Sequence, residues 1–185
     1  MKHIGTSTLE TERLILRRFT LDDAKSTFTN WASDDEVTKY LTIPTHRTVD
    51  DSIDFIKSRV DKYNDLSFYN WIIELKDTHE IIGNICILEV NEKTNGMEFG
   101  WIIGRKYWGK GYAPEACNKI MDVLFNEVGV EYIFATHDVE NIKSGKAMLK
   151  LGMKLEGILR HNGKNNRGIV DCARYSILKS EKYNN

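Results

Sequence analysis

Residues 104–116 read Gly104-Arg-Lys-Tyr-Trp-Gly109-Lys-Gly111-Tyr-Ala-Pro-Glu-Ala116 and join an apolar, strand-like run, Met97–Ile103, to a helix-like run, Ala116–Val128. Glycine lets the backbone approach an anion closely because it carries no Cβ. The first N–H groups of a helix have no acceptor within the helix, and the helix dipole is positive at that end. The stretch therefore predicts a phosphate-binding turn between a strand and a helix.

Two familiar kinds of phosphate-binding turn fit this pattern poorly. A nucleotide P-loop would need Ser or Thr after Lys110, where this chain has Gly111. A dinucleotide-binding turn would need a third glycine where Pro114 stands. Pro114 instead suits the first turn of a helix, where its missing N–H costs nothing. A glycine-rich turn that binds nothing is the remaining interpretation that the turn alone leaves open.

The overall composition is typical of a globular protein: of 185 residues, 41% are hydrophobic and 29% are charged. Lys and Arg number 26 against 27 Asp and Glu, so nothing in the charge balance predicts a nucleic-acid or membrane partner. No apolar run is long enough to span a bilayer, and the first residues lack the core of a signal peptide. The length suits one domain over residues 1–185, with a core over about residues 11–180.

The cysteines and histidines argue against disulfides and a metal site. Cys86, Cys117 and Cys172 are odd in number and far apart, as in a reduced cytoplasmic protein. The 5 histidines show no ligand spacing, and His79-Glu80 lacks the second histidine of a zinc-protease motif. We therefore expect a cytoplasmic protein without a metal.

Apolar periodicity and capping residues predict the elements of the first half of the chain. Thr20, Ser33 and Thr48 each precede a helical pattern, so we expect them to be the N-caps of three helices. The predicted elements are a strand over Leu14–Phe19 and helices over Leu21–Trp31, after Ser33 as far as Pro44, and over Val49–Tyr63.

The second half of the chain alternates strands with helices. The predicted strands are Phe68–Leu75, Glu80–Val90, Met97–Ile103, Glu131–His137, Met153–Arg160 and Ile169–Leu178, the last two joined by a polar turn, Asn162–Gly168. Gly129 is expected to end the helix after the glycine-rich turn, and Gly152 to end a helix over Ile142–Leu151 that Asn141 caps. Without the short segment after Ser33, the order is β-α-α-β-β-β-α-β-α-β-β, which predicts a mixed α/β fold with an antiparallel first half.

This order resembles the fold of the GNAT superfamily of N-acetyltransferases, a mostly antiparallel twisted sheet in which one splayed strand pair binds acetyl-CoA. The loop Lys106-x-x-Gly109-x-Gly111 resembles the coenzyme A loop of that superfamily, although its usual first residue is Arg or Gln. Further blocks are similar to the branch that contains the ribosomal-protein N-terminal acetyltransferases: Thr11–Ala24, Glu98–Gly104, Trp108–Ala116, Asn141-x-x-Ser144, Lys150–Met153 and Glu156–Arg160.

The resemblance implies how acetyl-CoA would bind. Its pantetheine arm would lie along the strand before Gly104 as if it were an extra strand, and an N–H of that strand would face the developing oxyanion. Its pyrophosphate would lie on the N–H groups of the glycine-rich turn, with charge added by Lys106 and Lys110. The implied coenzyme-binding residues are Trp101, Ile102, Ile103, Lys106, Tyr107, Trp108, Gly109, Lys110, Gly111, Tyr112, Ala113 and Asn141, and no metal is implied.

The resemblance also implies catalytic roles for Glu98 and Ser144. Attack of an amine on a thioester needs a neutral amine, an oxyanion site and a proton for the departing thiolate. Glu98 lies where relatives often carry the general base, the alternative being a carboxylate in a cross-strand ion pair. Met148 stands where many relatives have a proton-donating tyrosine, and Ser144 is the substitute in the ribosomal-protein branch. His137, at a strand end, is a rival base.

The leading hypothesis is an acetyl-CoA-dependent N-acetyltransferase whose acceptor is a protein N-terminal amine. An α-amino group with a pKa of about 7.7–8.0 is already partly neutral in the cell, whereas a lysine amine near 10.4 is not. A polyamine or aminoglycoside acceptor would favour an acidic cleft. The carboxylates of Asp34, Asp35, Glu36, Asp50 and Asp51 could form such a cleft, and helix capping explains them equally well. A non-catalytic acyl-CoA-binding module is the third hypothesis, and the chain is expected to be a monomer or homodimer.

Overall fold

The computed structural model describes residues 1–183, in which eight strands form one continuous sheet. The strands are β1 (Leu9–Glu10), β2 (Leu14–Arg17), β3 (Asn70–Leu75), β4 (Ile81–Asn91), β5 (Gly96–Ile103), β6 (Tyr132–Asp138), β7 (Lys154–Asn165) and β8 (Gly168–Leu178). Their order across the sheet is β1-β2-β3-β4-β5-β6-β8-β7. Neighbours are antiparallel except β5 and β6, which are parallel. The predicted mixed α/β fold with a mostly antiparallel sheet is confirmed.

The α-helices are α1 (Ala24–Thr27), α2 (Asp35–Thr38), α3 (Val49–Val60), α4 (Tyr112–Val123), α5 (Ile142–Lys150) and α6 (Lys179–Tyr183). The expected cap of α3 is confirmed, because Thr48 Oγ1 accepts the N–H of Asp51 while the Asp51 carboxylate accepts the N–H of Thr48. The expected cap of α5 is also confirmed: the side chain of Asn141 accepts the N–H of Ser144. Local capping chemistry therefore fixes where both helices begin.

Several predicted boundaries in the helical segments are wrong. The helix expected over Leu21–Trp31 is broken into a 3₁₀ turn, α1 and a π-helical turn. Asp34 rather than Ser33 caps α2, since its carboxylate accepts the N–H of Glu36 at 3.0 Å. The helix after the glycine-rich turn begins at Tyr112 instead of Ala116, and Gly111, in the left-handed conformation, is its N-cap.

Differences also occur at the two ends of the sheet. β1 and α6 were not predicted, since two and five residues are too few for a periodic pattern. The polar residues expected to form the turn Asn162–Gly168 mostly continue β7, which extends to Asn165. Only Asn166 and Arg167 remain between β7 and β8, because cross-strand pairing with β8 continues up to the tip.

The main core lies between the sheet and α4. Apolar side chains of α4, such as Ile120 and Met121, are fully buried against strand residues such as Met97 and Ile133. A smaller core on the opposite face packs α3 on β3 through Ile56 and Ile72. The sheet is thus covered on both faces, and its central strands are held in a fixed position.

The parallel pair β5 and β6 separates part of the way along. The two strands pair at only three positions, the last of which joins Glu98 to Phe134. Beyond this position β5 continues to pair with β4 as far as Ile103, while β6 continues to pair with β8. The two strands therefore diverge after Glu98 and Phe134, and we call this point the fork. The glycine-rich turn follows the end of β5 on the open side of the fork.

Candidate active site

The glycine-rich turn leads from β5 into α4. A 3₁₀ turn at Arg105–Tyr107 precedes it. Gly109 and Gly111 have φ angles of 77° and 82°, in the left-handed region that favours glycine. A Cβ added at Gly109 would meet no atom within 4 Å, so the space beside the turn is open. The backbone conformation, rather than crowding, requires glycine at this position.

The backbone N–H groups of residues 109–113 donate to no oxygen atom of residues 1–183. They lie at the start of α4, where the helix dipole is positive. An anion placed beside the turn would accept several of these hydrogen bonds at once. The turn therefore fits a phosphate or pyrophosphate group, as the glycine pattern predicts.

Arg13, directly before β2, braces this turn from the outer side. Its Nε donates to the Glu115 carboxylate at 2.7 Å, and its Nη1 donates to the Lys110 carbonyl at 3.1 Å. Its guanidinium also lies 4.5 Å from the ring centroid of Tyr112. Burial raises the pKa of Glu115, but hydrogen bonds from Thr11 and Arg13 outweigh that effect and leave the pKa below its ordinary value. Glu115 is therefore an ionised anchor for the first turn of α4.

An open cavity of about 710 Å³ adjoins the turn. Its wall is formed by the end of β5, the turn, the first residues of α4, the inner face of α5 and residues 36–41. The sequence-predicted residues on this wall are Trp101, Ile102, Ile103, Tyr107, Trp108, Gly109, Gly111, Tyr112, Ala113, Asn141 and Ser144. The cavity thus brings together most of the residues that were predicted to bind a coenzyme.

Helix α5 presents Asn141 and Ser144 to the cavity. The Asn141 side-chain oxygen accepts the N–H of Ser144 at 3.3 Å, which leaves its amide NH₂ group without a partner among residues 1–183. The Ser144 hydroxyl likewise makes no hydrogen bond within residues 1–183. It does not satisfy the backbone of its own helix, so it is free to donate to a molecule in the cavity.

Glu98 lies at the fork between β5 and β6 rather than on the cavity wall. Its carboxylate accepts a hydrogen bond from Thr136 Oγ1 of β6 at 2.6 Å. Burial raises the pKa of Glu98, the hydrogen bond from Thr136 opposes this, and the charge of Glu89 adds to the rise while that of Arg174 opposes it. A carboxylate with a raised pKa is a stronger base when ionised, which suits proton removal near neutral pH.

Four other residues singled out from the sequence lie outside the cavity wall. Lys106 Nζ is 2.9 Å from the Glu80 carboxylate, and Lys110 contributes its carbonyl to Arg13. Met148 is buried in the main core. His137 stacks on a tyrosine ring, and its Nδ1 donates to the Asp138 carbonyl at 2.7 Å. His137 thus has a packing role in this structure.

Tyr40 and Leu41 form the wall opposite α5, together with Val37. The tip of the β7–β8 hairpin holds this segment in place. Asn166 donates its backbone N–H to the Leu41 carbonyl and its side-chain NH₂ to two further carbonyls, at distances of 2.8 to 3.1 Å. Arg167 pairs with Asp138 and Glu140 at 2.8 and 2.6 Å. These contacts of Asn166 and Arg167 therefore fix the position of this wall of the cavity.

Most carboxylates that could form an acidic cleft are already engaged. Asp34 caps α2 and pairs with Arg105 at 2.9 Å, and Asp35 pairs with Arg47 at 2.9 Å. Asp51 accepts backbone N–H groups at the start of α3. Of the five acidic residues considered from the sequence, only Glu36 lines the cavity. The cavity wall is thus not a strongly acidic surface.

Sequence reasoning missed the contacts that join distant segments. Arg13 and Glu115 are 102 residues apart, and Asn166 lies more than 120 residues from its partners in the α2 segment. Three lysines of α5 that line the cavity, Lys143, Lys146 and Lys150, were also missed, although their helical spacing was visible. No local pattern marks a pairing between distant residues.

The family model for the acetyltransferase (GNAT) domain matches residues 13–154. The chain belongs to the GNAT acetyltransferase family. It is 36% identical over 178 residues to the uncharacterized N-acetyltransferase p20 of Bacillus licheniformis, with 94% of this chain and 97% of that protein covered. A GNAT-family acetyltransferase of Bacillus anthracis shares its fold with a TM-score of 0.82 and 27% identity, over 94% of this chain and 99% of that one. The chain is therefore an N-acetyltransferase.

The names of other similar proteins and of proteins that share the fold state different substrates or ligands. The spermidine N(1)-acetyltransferase of Escherichia coli is 33% identical over 97 residues, which cover 50% of this chain and 52% of that protein. A ribosomal-protein-S5-alanine acetyltransferase of Vibrio fischeri shares the fold with a TM-score of 0.80 at 20% identity, over 94% and 97% of the two chains. The self-immunity acetyltransferase MccE, solved with acetyl-CoA and AMP, has a TM-score of 0.80 at 22% identity, over 91% and 93%.

Residues 1–183 contain neither a metal-ligand cluster nor a membrane-spanning helix. No cluster of three or more His, Cys, Asp or Glu side chains is arranged to hold a metal ion. None of the helices in this part of the chain has the length and apolar character needed to cross a membrane.

Proposed function

We propose that this enzyme transfers the acetyl group of acetyl-CoA to the α-amine of a protein or peptide N-terminus. The observation that carries the proposal is the cavity between the glycine-rich turn and α5, whose wall on β5 starts at Trp101, beyond the last β5–β6 pair at Glu98. Family membership supports acetyl-CoA as the donor, and the unpaired N–H groups of residues 109–113 fit its pyrophosphate. The pantetheine arm would lie along the free edge of β5, beside Trp101 and Ile102.

In this proposal Glu98 removes a proton from the attacking ammonium group, directly or through a water molecule. The resulting neutral amine attacks the thioester carbonyl, and an N–H of the free β5 edge stabilises the oxyanion. Ser144 then donates to the departing sulfur, for which a weak donor suffices because a thiol has a pKa near 8.5. Asn141 holds the coenzyme with its unpaired amide while it caps α5.

The acceptor is assigned from the charges around the cavity. A polyamine or aminoglycoside carries several positive charges and would favour several free carboxylates, but Asp34, Asp35 and Asp51 are engaged in ion pairs or caps. A single α-amine needs only one base, and it is partly neutral before it binds. The proposal also places the enzyme in the cytoplasm, because its three cysteines are free thiols.

An acetylation screen tests the proposal. Purified enzyme is incubated with acetyl-CoA and with N-terminal peptides, spermidine or an aminoglycoside, and coenzyme A release is followed with a thiol reagent. The expected result is turnover with peptides, at a higher kcat/KM than with the other amines. Preferred turnover of spermidine would replace the acceptor with a polyamine, in line with the spermidine-acetylating relative. Binding of acetyl-CoA without turnover of any amine would contradict the catalytic role.

A further inference from the structure

Three lysines form a stripe along the cavity face of α5. Lys143, Lys146 and Lys150 are spaced by three and four residues, which places them on one side of a helix, and all three line the cavity. We call them the α5 lysine stripe. Three cations on one wall of the cavity attract an anionic partner to that wall.

The stripe has no carboxylate partner among residues 1–183, whereas Lys106 does have one. Lys106, on the turn itself, pairs with Glu80 at 2.9 Å. None of the three stripe lysines takes part in an ion pair within the described chain, and their side chains are exposed. Lys143 lies 3.7 Å from the ring centroid of Trp108, which holds the first turn of α5 against the glycine-rich turn.

Coenzyme A carries two separate anionic groups, a pyrophosphate and a phosphate on the ribose 3′ oxygen. The N–H groups of residues 109–113 supply one anion site, which the proposed function assigns to the pyrophosphate. The turn offers no cavity-facing lysine for the second group, because Lys106 and Lys110 lie outside the wall. The α5 lysine stripe lies across the same cavity and supplies the missing positive charge.

We infer that the α5 lysine stripe, chiefly Lys146 and Lys150, binds the 3′-phosphate of acetyl-CoA and makes the enzyme selective for the phosphorylated coenzyme. This inference rests on the proposed use of acetyl-CoA. Two ammonium groups donate charge-assisted hydrogen bonds to the phosphate oxygens, and Lys143 remains over Trp108 beside them. Neither carboxylate on the wall is paired with the stripe: Glu140 pairs with Arg167, and Glu36 forms no ion pair within residues 1–183.

The test compares acetyl-CoA with 3′-dephospho-acetyl-CoA by isothermal titration calorimetry. The variants are Lys146→Gln/Lys150→Gln and, as a control that removes one positive charge elsewhere, the exposed Lys57→Gln on α3. We expect the wild type and the control to bind acetyl-CoA about tenfold to a hundredfold more tightly than the dephospho compound, as two exposed charge-assisted contacts would give. The double variant should bind both compounds with the affinity that the wild type has for the dephospho compound.

Equal affinity of the wild type for the two coenzymes would overturn this inference alone, because the glycine-rich turn would still hold the pyrophosphate. Selectivity retained in the double variant would also overturn it. Absence of binding by either coenzyme would overturn the proposed function as well. Raised salt should weaken acetyl-CoA binding more in the wild type than in the double variant, since exposed charges are screened.

Discussion

Two side chains, Glu98 and Ser144, carry the proposed chemistry, and their surroundings differ. Glu98 is half-buried at the fork and is held by one hydrogen bond from Thr136. Ser144 faces the open cavity with a hydroxyl that is free of protein partners in residues 1–183. Glu98 is therefore suited to accept a proton, and Ser144 is suited to contact a molecule bound in the cavity.

Glu98→Gln is expected to lower kcat by about 10²-fold, the low end for general-base help, because an α-amine is already partly neutral. The wild-type kcat/KM should fall as the pH drops through the raised pKa of Glu98, and this limb should be absent in the variant. Coenzyme affinity should stay nearly constant. The measurement is a pH–rate profile with a peptide acceptor, and an unchanged rate would make Glu98 a structural residue.

The stability of the same variant provides an independent check. A carboxyl whose pKa is raised on folding favours the folded state below its unfolded pKa, and loses that contribution as the pH rises through its folded pKa. At neutral pH the ionised Glu98 therefore costs stability, whereas Gln keeps an acceptor for Thr136 without a charge. We expect Glu98→Gln to melt at or above the wild-type temperature at pH 7. A clearly lower Tm would show that the charge stabilises the fold.

Ser144→Ala is expected to slow the chemical step by about tenfold, while Ser144→Thr, which keeps the hydroxyl, should retain most of the rate. Single-turnover acetylation and Tm must be measured together, because loss of a helix cap costs about 0.5–2 kcal/mol and would also move α5. The Ser144 side chain caps nothing, so its removal should leave Tm unchanged. Full activity in Ser144→Ala would leave water as the better proton donor.

The buried position of Met148 changes what a tyrosine there would do. In relatives with a catalytic tyrosine at this place, the resemblance implies a hydroxyl near the sulfur. Here the side chain is 1% exposed within the main core and does not line the cavity. Met148→Tyr is therefore a poor rescue for Ser144→Ala, because its hydroxyl would enter the core without a partner.

Among the secondary-structure elements, β5, the glycine-rich turn and α4 act as one unit. The turn has few internal hydrogen bonds, so its shape depends on what holds its two ends. Arg13 bonds to the Lys110 carbonyl and to Glu115, and Arg105 ties the other end of the turn to Asp34 at 2.9 Å. These contacts pre-form the anion site before a coenzyme binds.

Arg13→Met should therefore weaken acetyl-CoA binding by about threefold to tenfold, a modest effect because the guanidinium is partly exposed. The turnover number at saturating coenzyme should change little, since Arg13 does not line the cavity. Arg47→Met, which breaks an exposed ion pair with Asp35, is the matched control and should leave the affinity unchanged. An Arg13→Met enzyme with wild-type coenzyme affinity would contradict the bracing role.

Across the whole molecule, the structural features that could be predicted from the sequence are those that depend on residues adjacent in the chain. The caps Thr48 and Asn141, the long strands and the glycine-rich turn all follow from local periodicity or from a few adjacent residues. The breaks around α1 and the length of β7 were not predicted, because packing and cross-strand pairing decide them. Pairings such as Arg13 with Glu115 depend on how the sheet brings distant segments together.

The candidate site was predictable to the same degree. The residues that line the cavity along β5 and the turn all fall within residues 101–114, a stretch that the glycine motif marks. The sequence could not show that Lys106 and Lys110, which belong to the same motif, lie outside the cavity wall. Only the folded chain places Glu80 beside Lys106 and Arg13 beside the Lys110 carbonyl. The role of the α5 lysine stripe could not be predicted either, because the sequence does not show that α5 lies across the cavity from the glycine-rich turn.

The most direct test of the account is acetyl-CoA binding at the glycine-rich turn, measured by calorimetry in the presence of EDTA. The variant is Gly111→Trp, and the matched control is Gly129→Trp, since both glycines have φ near 82° and an added Cβ would meet no atom closer than 3.6 Å at either one. Of these two glycines, Gly111 lines the cavity and Gly129 does not. We predict that the wild type and Gly129→Trp bind acetyl-CoA alike in EDTA, whereas Gly111→Trp does not bind it measurably. Equal binding by Gly111→Trp, or loss of wild-type binding in EDTA, would contradict the account.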